Sequence, residues 1–146
     1  MKLARRIAVA AVLCSGPLAA LPIADVTSLP ASDRAAVNAL EAEFFNVLSS
    51  QGTDKGMLQT FANLHAEEKL TPEFREKFQQ IDQKCGSASA VERVKTVNFG
   101  TRVVHDYFVA MHGSCPIRWD LTYVKRGNTW AFDRFNFLTF DGNEWN

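Results

Sequence analysis

CPIRWDLTYVKRGNTWAFDRFNFLTF, Cys115 to Phe140, reads as two long strands joined at Arg126-Gly127-Asn128. Val, Ile, Thr, Tyr, Phe and Trp fill both arms. Gly127-Asn128 is a hairpin dipeptide in which glycine supplies the positive φ that the first central position of a type II′ turn requires. A lone hairpin does not stand in water, so the upstream helices must lie across its aromatic face. Two registers are open. A two-residue loop sets Trp119 opposite Asn136 and Leu121 opposite Arg134, so that Trp119, Leu121, Tyr123, Trp130, Phe132, Arg134 and Asn136 share a face. A three-residue loop sets Asp120 opposite Arg134 on a polar outer face, while Ile117, Trp119, Leu121, Tyr123, Phe135 and Phe137 line the inner face with Asp133 among them. Turn chemistry favours the first, and the cleaner separation of polar from apolar side chains favours the second.

Upstream of the hairpin the same period of two runs through Val91 to Val97 and Arg102 to Met111, separated by a turn at Asn98-Phe99-Gly100. Before Ala88 the period is helical. A first helix opens at Ser32 or Asp33, either of which can cap it, and carries Val37, Leu40, Phe44, Val47 and Leu48, with Arg34, Asn38, Glu41 and Glu43 on other faces. Gly52 stops it. A second helix, with Met57, Leu58, Phe61 and Leu64, is expected from Thr53 to about Leu70, its first turn weakened by Gly56. The third begins with Thr71 as cap and Pro72 in the first turn, carries Phe74, Phe78 and Ile81, and ends at Cys85-Gly86. Three helices followed by four meandering strands predict an α+β fold with the helices on one curved antiparallel sheet.

Residues 1–24, MKLARRIAVAAVLCSGPLAALPIA, have the basic start, the apolar run from Ile7 to Leu13 and the small residues of a secretory signal peptide. The run is too short and broken for the roughly 20 residues that span a bilayer. Cys14 raises a lipoprotein alternative, against which stands the bulky Leu13. The expected organisation is a signal peptide at 1–24, a tether at 25–31 and one domain at 32–146, in a periplasmic or secreted protein without a stable membrane span. Removal of Lys2, Arg5 and Arg6 leaves 13 basic against 16 acidic residues, so no basic footprint for nucleic acid is present.

The Thr71-Pro72-Glu73-Phe74 helix start, the Cys85-Gly86 exit and the Gly127-Asn128-Thr129-Trp130 turn followed by alternating aromatics resemble the nuclear transport factor 2-like (cystatin-like) superfamily. The nearest resemblance is to small secreted bacterial members of unassigned function, over residues 33–140. It implies a cone-shaped pocket and, since members commonly dimerise through the sheet, a possible homodimer. It implies no single reaction, because the superfamily holds ketosteroid isomerases, epoxide hydrolases, polyketide cyclases and pure binding modules.

Without Cys14, Cys85 and Cys115 remain as an even pair in an exported chain, and antiparallel pairing about a turn near Phe99-Gly100 brings them opposite each other. A disulfide is therefore expected. His65, His105 and His112 lack metal-ligand spacing, no zinc set is complete, and no phosphate loop or nucleophile elbow occurs. His105 and Asp106, adjacent in a strand, must point to opposite faces.

The expected function is binding of a small apolar ligand or an envelope protein, without cofactor, in a pocket lined by Trp119, Leu121, Tyr123, Trp130, Phe132 and Phe135. The alternatives are a cofactor-free enzyme of isomerase, hydrolase or cyclase type, with Asp133, His105, Tyr107 or Arg134 as its catalytic residues, and a structural subunit docked through its sheet. An Asp among aromatics would have its pKa raised by desolvation, as an acid-base catalyst needs.

Overall fold

The computed structural model describes residues 28–139; the signal segment, most of the tether and the residues after Thr139 lie outside them. The order is α1 Ala31–Gln51, α2 Thr53–Asn63, a one-turn 3-10 helix Glu67–Lys69, α3 Pro72–Lys84, then β1 Ala88–Phe99, β2 Val103–His112, β3 Cys115–Arg126 and β4 Thr129–Thr139. The strands form one antiparallel sheet in sequence order, an α+β fold with the helices before the sheet.

Local chemistry accounts for most boundaries. Thr71 Oγ1 accepts from Phe74 N at 3.4 Å, and Pro72 occupies the first turn of α3. Two expectations are corrected. Neither Ser32 nor Asp33 caps α1, which starts at Ala31 without a side-chain cap; Asp33 instead receives Lys125 Nζ from β3 at 2.7 and 2.8 Å. The second helix ends at Asn63 rather than near Leu70, because the chain turns at His65, whose φ is +51°.

The N-terminus of α2 is capped from a distance. Asp82 of α3 accepts from Thr53 N at 2.6 Å and Asp54 N at 2.9 Å, while Arg75 holds Asp54 through both carboxylate oxygens. Gly56 lies where α2 crosses α1: a Cβ there would come within 2.9 Å of the Leu48 side chain and 3.2 Å of its backbone.

Both hairpin registers are present, each in part. Near the turn, Arg126 pairs with Thr129 and Tyr123 with Phe132, as a two-residue loop dictates, and Gly127 has φ +62°. A bulge at Asp133 then moves the register by one residue, so that Thr122 faces Arg134, Leu121 faces Phe135 and Trp119 faces Phe137. The extra residue turns Trp130 and Phe132 on one side of it, and Phe135 and Phe137 on the other, to the same helix-covered face. Arg134, expected inward in the first register, is instead outward with its side chain 76% exposed. That face closes on α1, α2 and α3 around Val37, Phe44, Phe45, Leu48, Met57, Phe61, Phe78 and Ile81.

Cys85 and Cys115 form a disulfide with Cα atoms 5.5 Å apart. It ties the exit of α3 to the start of β3, and Cys115 pairs across the sheet with His112.

Candidate functional site

The aromatics expected to line a pocket pack mostly against one another. Trp119, Leu121 and Tyr123 are 0% exposed. Trp119 contacts Phe44 and Phe137 at 5.5 and 5.4 Å between ring centres, Phe61 meets Phe135 at 5.7 Å, and Phe44 stacks on Phe132 at 5.8 Å. This side of the sheet is a close-packed core. Trp130 and Phe132 also reach an open groove of about 270 Å³ with Leu40, Val47 and Leu64.

The catalytic candidates do not converge. Asp133 sits at the bulge rather than among the aromatics, with Arg134 Nε at 3.1 Å and Arg126 Nη2 at 3.6 Å. His105 and Tyr107 project from the opposite face of the sheet to Asp106, as strand alternation requires, and stack on each other at 4.5 Å. Lys95 and Arg118 lie over the Tyr107 ring at 5.6 and 5.3 Å. Across the strands His105 pairs with Thr122 and Thr122 with Arg134, so a full strand separates the two candidates.

The titratable groups that do meet lie between α1 and the inner face of β1 and β2. Arg34 of α1 donates to Asp106 at 2.8 Å, to Glu41 at 2.6 Å and to Asn38 at 2.8 Å. Arg93 of β1 donates to Glu41 and, at 2.7 Å, to Asn38, and its Nε is 3.8 Å from Asp106. Thr96 donates to Asp106. Tyr123 shares the inner face of the adjacent strand, pairing with Val104 while Asp106 pairs with Leu121. Its buried hydroxyl has no hydrogen-bond partner.

The two carboxyls are driven apart. Burial, together with hydrogen bonding to Asp106 and that residue's charge, pushes Glu41 up to about 7 against the pull of Arg34 and Arg93. Asp106 is raised by burial too, but hydrogen bonds from Glu41, Thr96 and Arg34 outweigh this and hold it below the usual carboxylate range. Burial and then the charges of Glu41 and Asp106 raise Tyr123.

Sequence reading assigned Arg34 and Glu41 to faces away from the apolar stripe. A signal was nonetheless there. Glu41 is four residues after Val37, and Asp106 keeps the parity of Val104 and Phe108, which puts each on the core side.

Two further features bear on chemistry. Glu41 borders an open groove of about 360 Å³ between α1 and β1, with Asn38, Phe45, Val91 and Phe108. A larger groove, about 580 Å³, runs between α3 and the ends of β3 and β4 beside the disulfide. Phe74, Ile81, Pro116, Ile117, Phe137 and Leu138 line it, together with Lys77 and Lys84. Phe74 and Leu138 are 40% and 37% exposed. Among the described residues no cluster of His, Cys, Asp and Glu is arranged to hold a metal, and no helix is long and apolar enough to cross a membrane. Comparison with protein-family models, with curated proteins and with solved structures found no match to this chain.

Proposed function

We propose that the chain is an exported binding module of the nuclear transport factor 2-like type, which takes an apolar ligand bearing an acidic group in the groove between α3 and the β3–β4 ends. The observation that carries this reading is the pairing of the exposed Phe74 and Leu138 with Lys77 and Lys84 around one concavity of about 580 Å³, a volume suited to a small ligand. Lys77 and Lys84 bring two ammonium groups to the same groove, where an incoming carboxylate can pair with them. The disulfide and the lack of a spanning helix among the described residues are compatible with export.

Titration calorimetry with dodecanoate and dodecanol tests the reading. Dodecanoate is expected to bind more tightly than the alcohol. Reversing both charges, Lys77→Glu with Lys84→Glu, should weaken dodecanoate by about tenfold, as two exposed ion pairs are worth, and leave dodecanol unchanged. Phe74→Ser should weaken both ligands. Absence of binding, or an affinity for dodecanoate indifferent to the charge reversal, would refute the assignment.

A further inference from the structure

We propose that Glu41 and Asp106 together form a proton-binding site that latches the N-terminal half of α1 to the sheet, and that loss of this proton opens the groove between α1 and β1. One guanidinium, that of Arg34, holds Asp106 on Nη1 at 2.8 Å and Glu41 on Nη2 at 2.6 Å, so the two carboxyls stand side by side. Arg93 also approaches both. Their side chains are 5% and 0% exposed, which removes the water that would screen two like charges. A single proton held between them leaves one negative charge at the pair and relieves the repulsion. The Tyr123 hydroxyl, buried on the same face, has no hydrogen-bond partner and feels the charges of both carboxyls.

The two carboxyls differ in what surrounds them. Asp106 lies mid-strand in β2, inside the sheet. Glu41 lies on a helix at the edge of an open groove, so a small displacement of α1 hydrates Glu41 and leaves Asp106 buried. Its facing groups are Arg34 on α1, Arg93 on β1, Asp106 on β2 and Tyr123 on β3. Once the proton leaves, the second negative charge favours the state in which Glu41 meets solvent.

Packing sets the hinge. The first half of α1 carries Val37 as its fully buried apolar side chain, whereas Phe44, Phe45 and Leu48 anchor the second half. Opening therefore lifts residues 31–41 and leaves the rest of the core closed. Because opening releases this one proton, its equilibrium constant rises by up to about tenfold per pH unit between the ordinary carboxylate range and the closed-state value of about 7, and is level above it.

Amide hydrogen exchange of Val37 to Glu41 between pH 5 and pH 9, corrected for intrinsic rates, reads the opening constant. It should rise from about pH 5 to about pH 7 and level off above neutrality in wild type, and be flat throughout in Glu41→Gln. Asp106→Asn removes the partner that shares the proton and should move the midpoint to lower pH. Carboxyl ¹³C titration of Glu41 in the wild-type chain gives the pH at which that rise ends, without any substitution. A pH-independent wild type, a Glu41→Gln variant with the wild-type slope, or a Glu41 carboxyl titrating in the ordinary acidic range would each overturn the proposal.

Discussion

Asp82→Ala removes a helix cap that comes from another helix, and its cost follows from geometry. Both carboxylate oxygens are engaged, on Thr53 N at 2.6 Å and Asp54 N at 2.9 Å, at the start of a helix that has no side-chain cap of its own. Loss of a cap costs about 1 kcal/mol, and removing a negative charge from a helix N-terminus adds a few tenths to ~1 kcal/mol. The Thr53 side chain is fully buried, so its amide has little access to replacement water. The expected destabilisation is about 2 kcal/mol, which in a domain of this size lowers Tm by about 8 °C. Asp82→Asn keeps one acceptor and should lose about half as much. Arg75 stays on Asp54 in both variants, so the α2–α3 ion pair is not part of the difference. Urea unfolding followed by circular dichroism measures the loss, with Glu76→Ala on the exposed face of α3 as a control expected within about 0.5 kcal/mol of wild type. An Asp82→Ala variant as stable as that control would refute the view that α3 starts α2.

Breaking the Cys85–Cys115 bond, by reduction or by the double Ser variant, opens a link between residues 30 apart. It should cost about 3–4 kcal/mol, measured by urea unfolding with and without reductant. A loss under 1 kcal/mol would show that the pairing of β1 with β2 already confines the two ends. His112 is buried, with Nδ1 3.1 Å from the Gly86 carbonyl and Nε2 without a partner, and burial lowers its pKa from 6.5. The fold therefore holds it neutral: its contribution is complete above pH 6.5 and is lost as pH falls through the folded value. Relative to His112→Gln, wild type should lose stability on acidification below pH 6.5, and a difference that does not vary with pH would reject this.

Much of the fold was readable from the chain because its signals are local. Thr71-Pro72 starts a helix, Gly52 and Gly86 end helices through positive φ, and Gly127 makes the tight turn wherever the flanking strands sit. Alternation in β2 likewise placed His105 and Asp106 on opposite faces before any packing was known. The cysteine pairing followed too, since antiparallel register and an even count are properties of the sequence alone.

The rest depended on groups distant in sequence. Whether Gly127-Asn128 sets one register for the whole hairpin depends on which aromatics the helices can bury, and that competition is resolved by a bulge at Asp133 that no local preference demands. The same competition packs Trp119 and Tyr123 into the core instead of leaving them around a pocket. Asp82 becomes a cap for Thr53 only because α3 crosses the start of α2. Most of all, the helical spacing sets Arg34 and Glu41 off the apolar stripe, and nothing local joins them to Arg93 and Asp106. The shifted protonation of Glu41 and Asp106 arises when α1 seals them against β1 and β2, because the cost of burying charge depends on the surrounding atoms and not on the residue. The sequence by itself determined the elements, their order and the covalent tie, which rest on short-range backbone and side-chain chemistry. Only the tertiary structure decided which charges lost their water, and with that where a proton can be held.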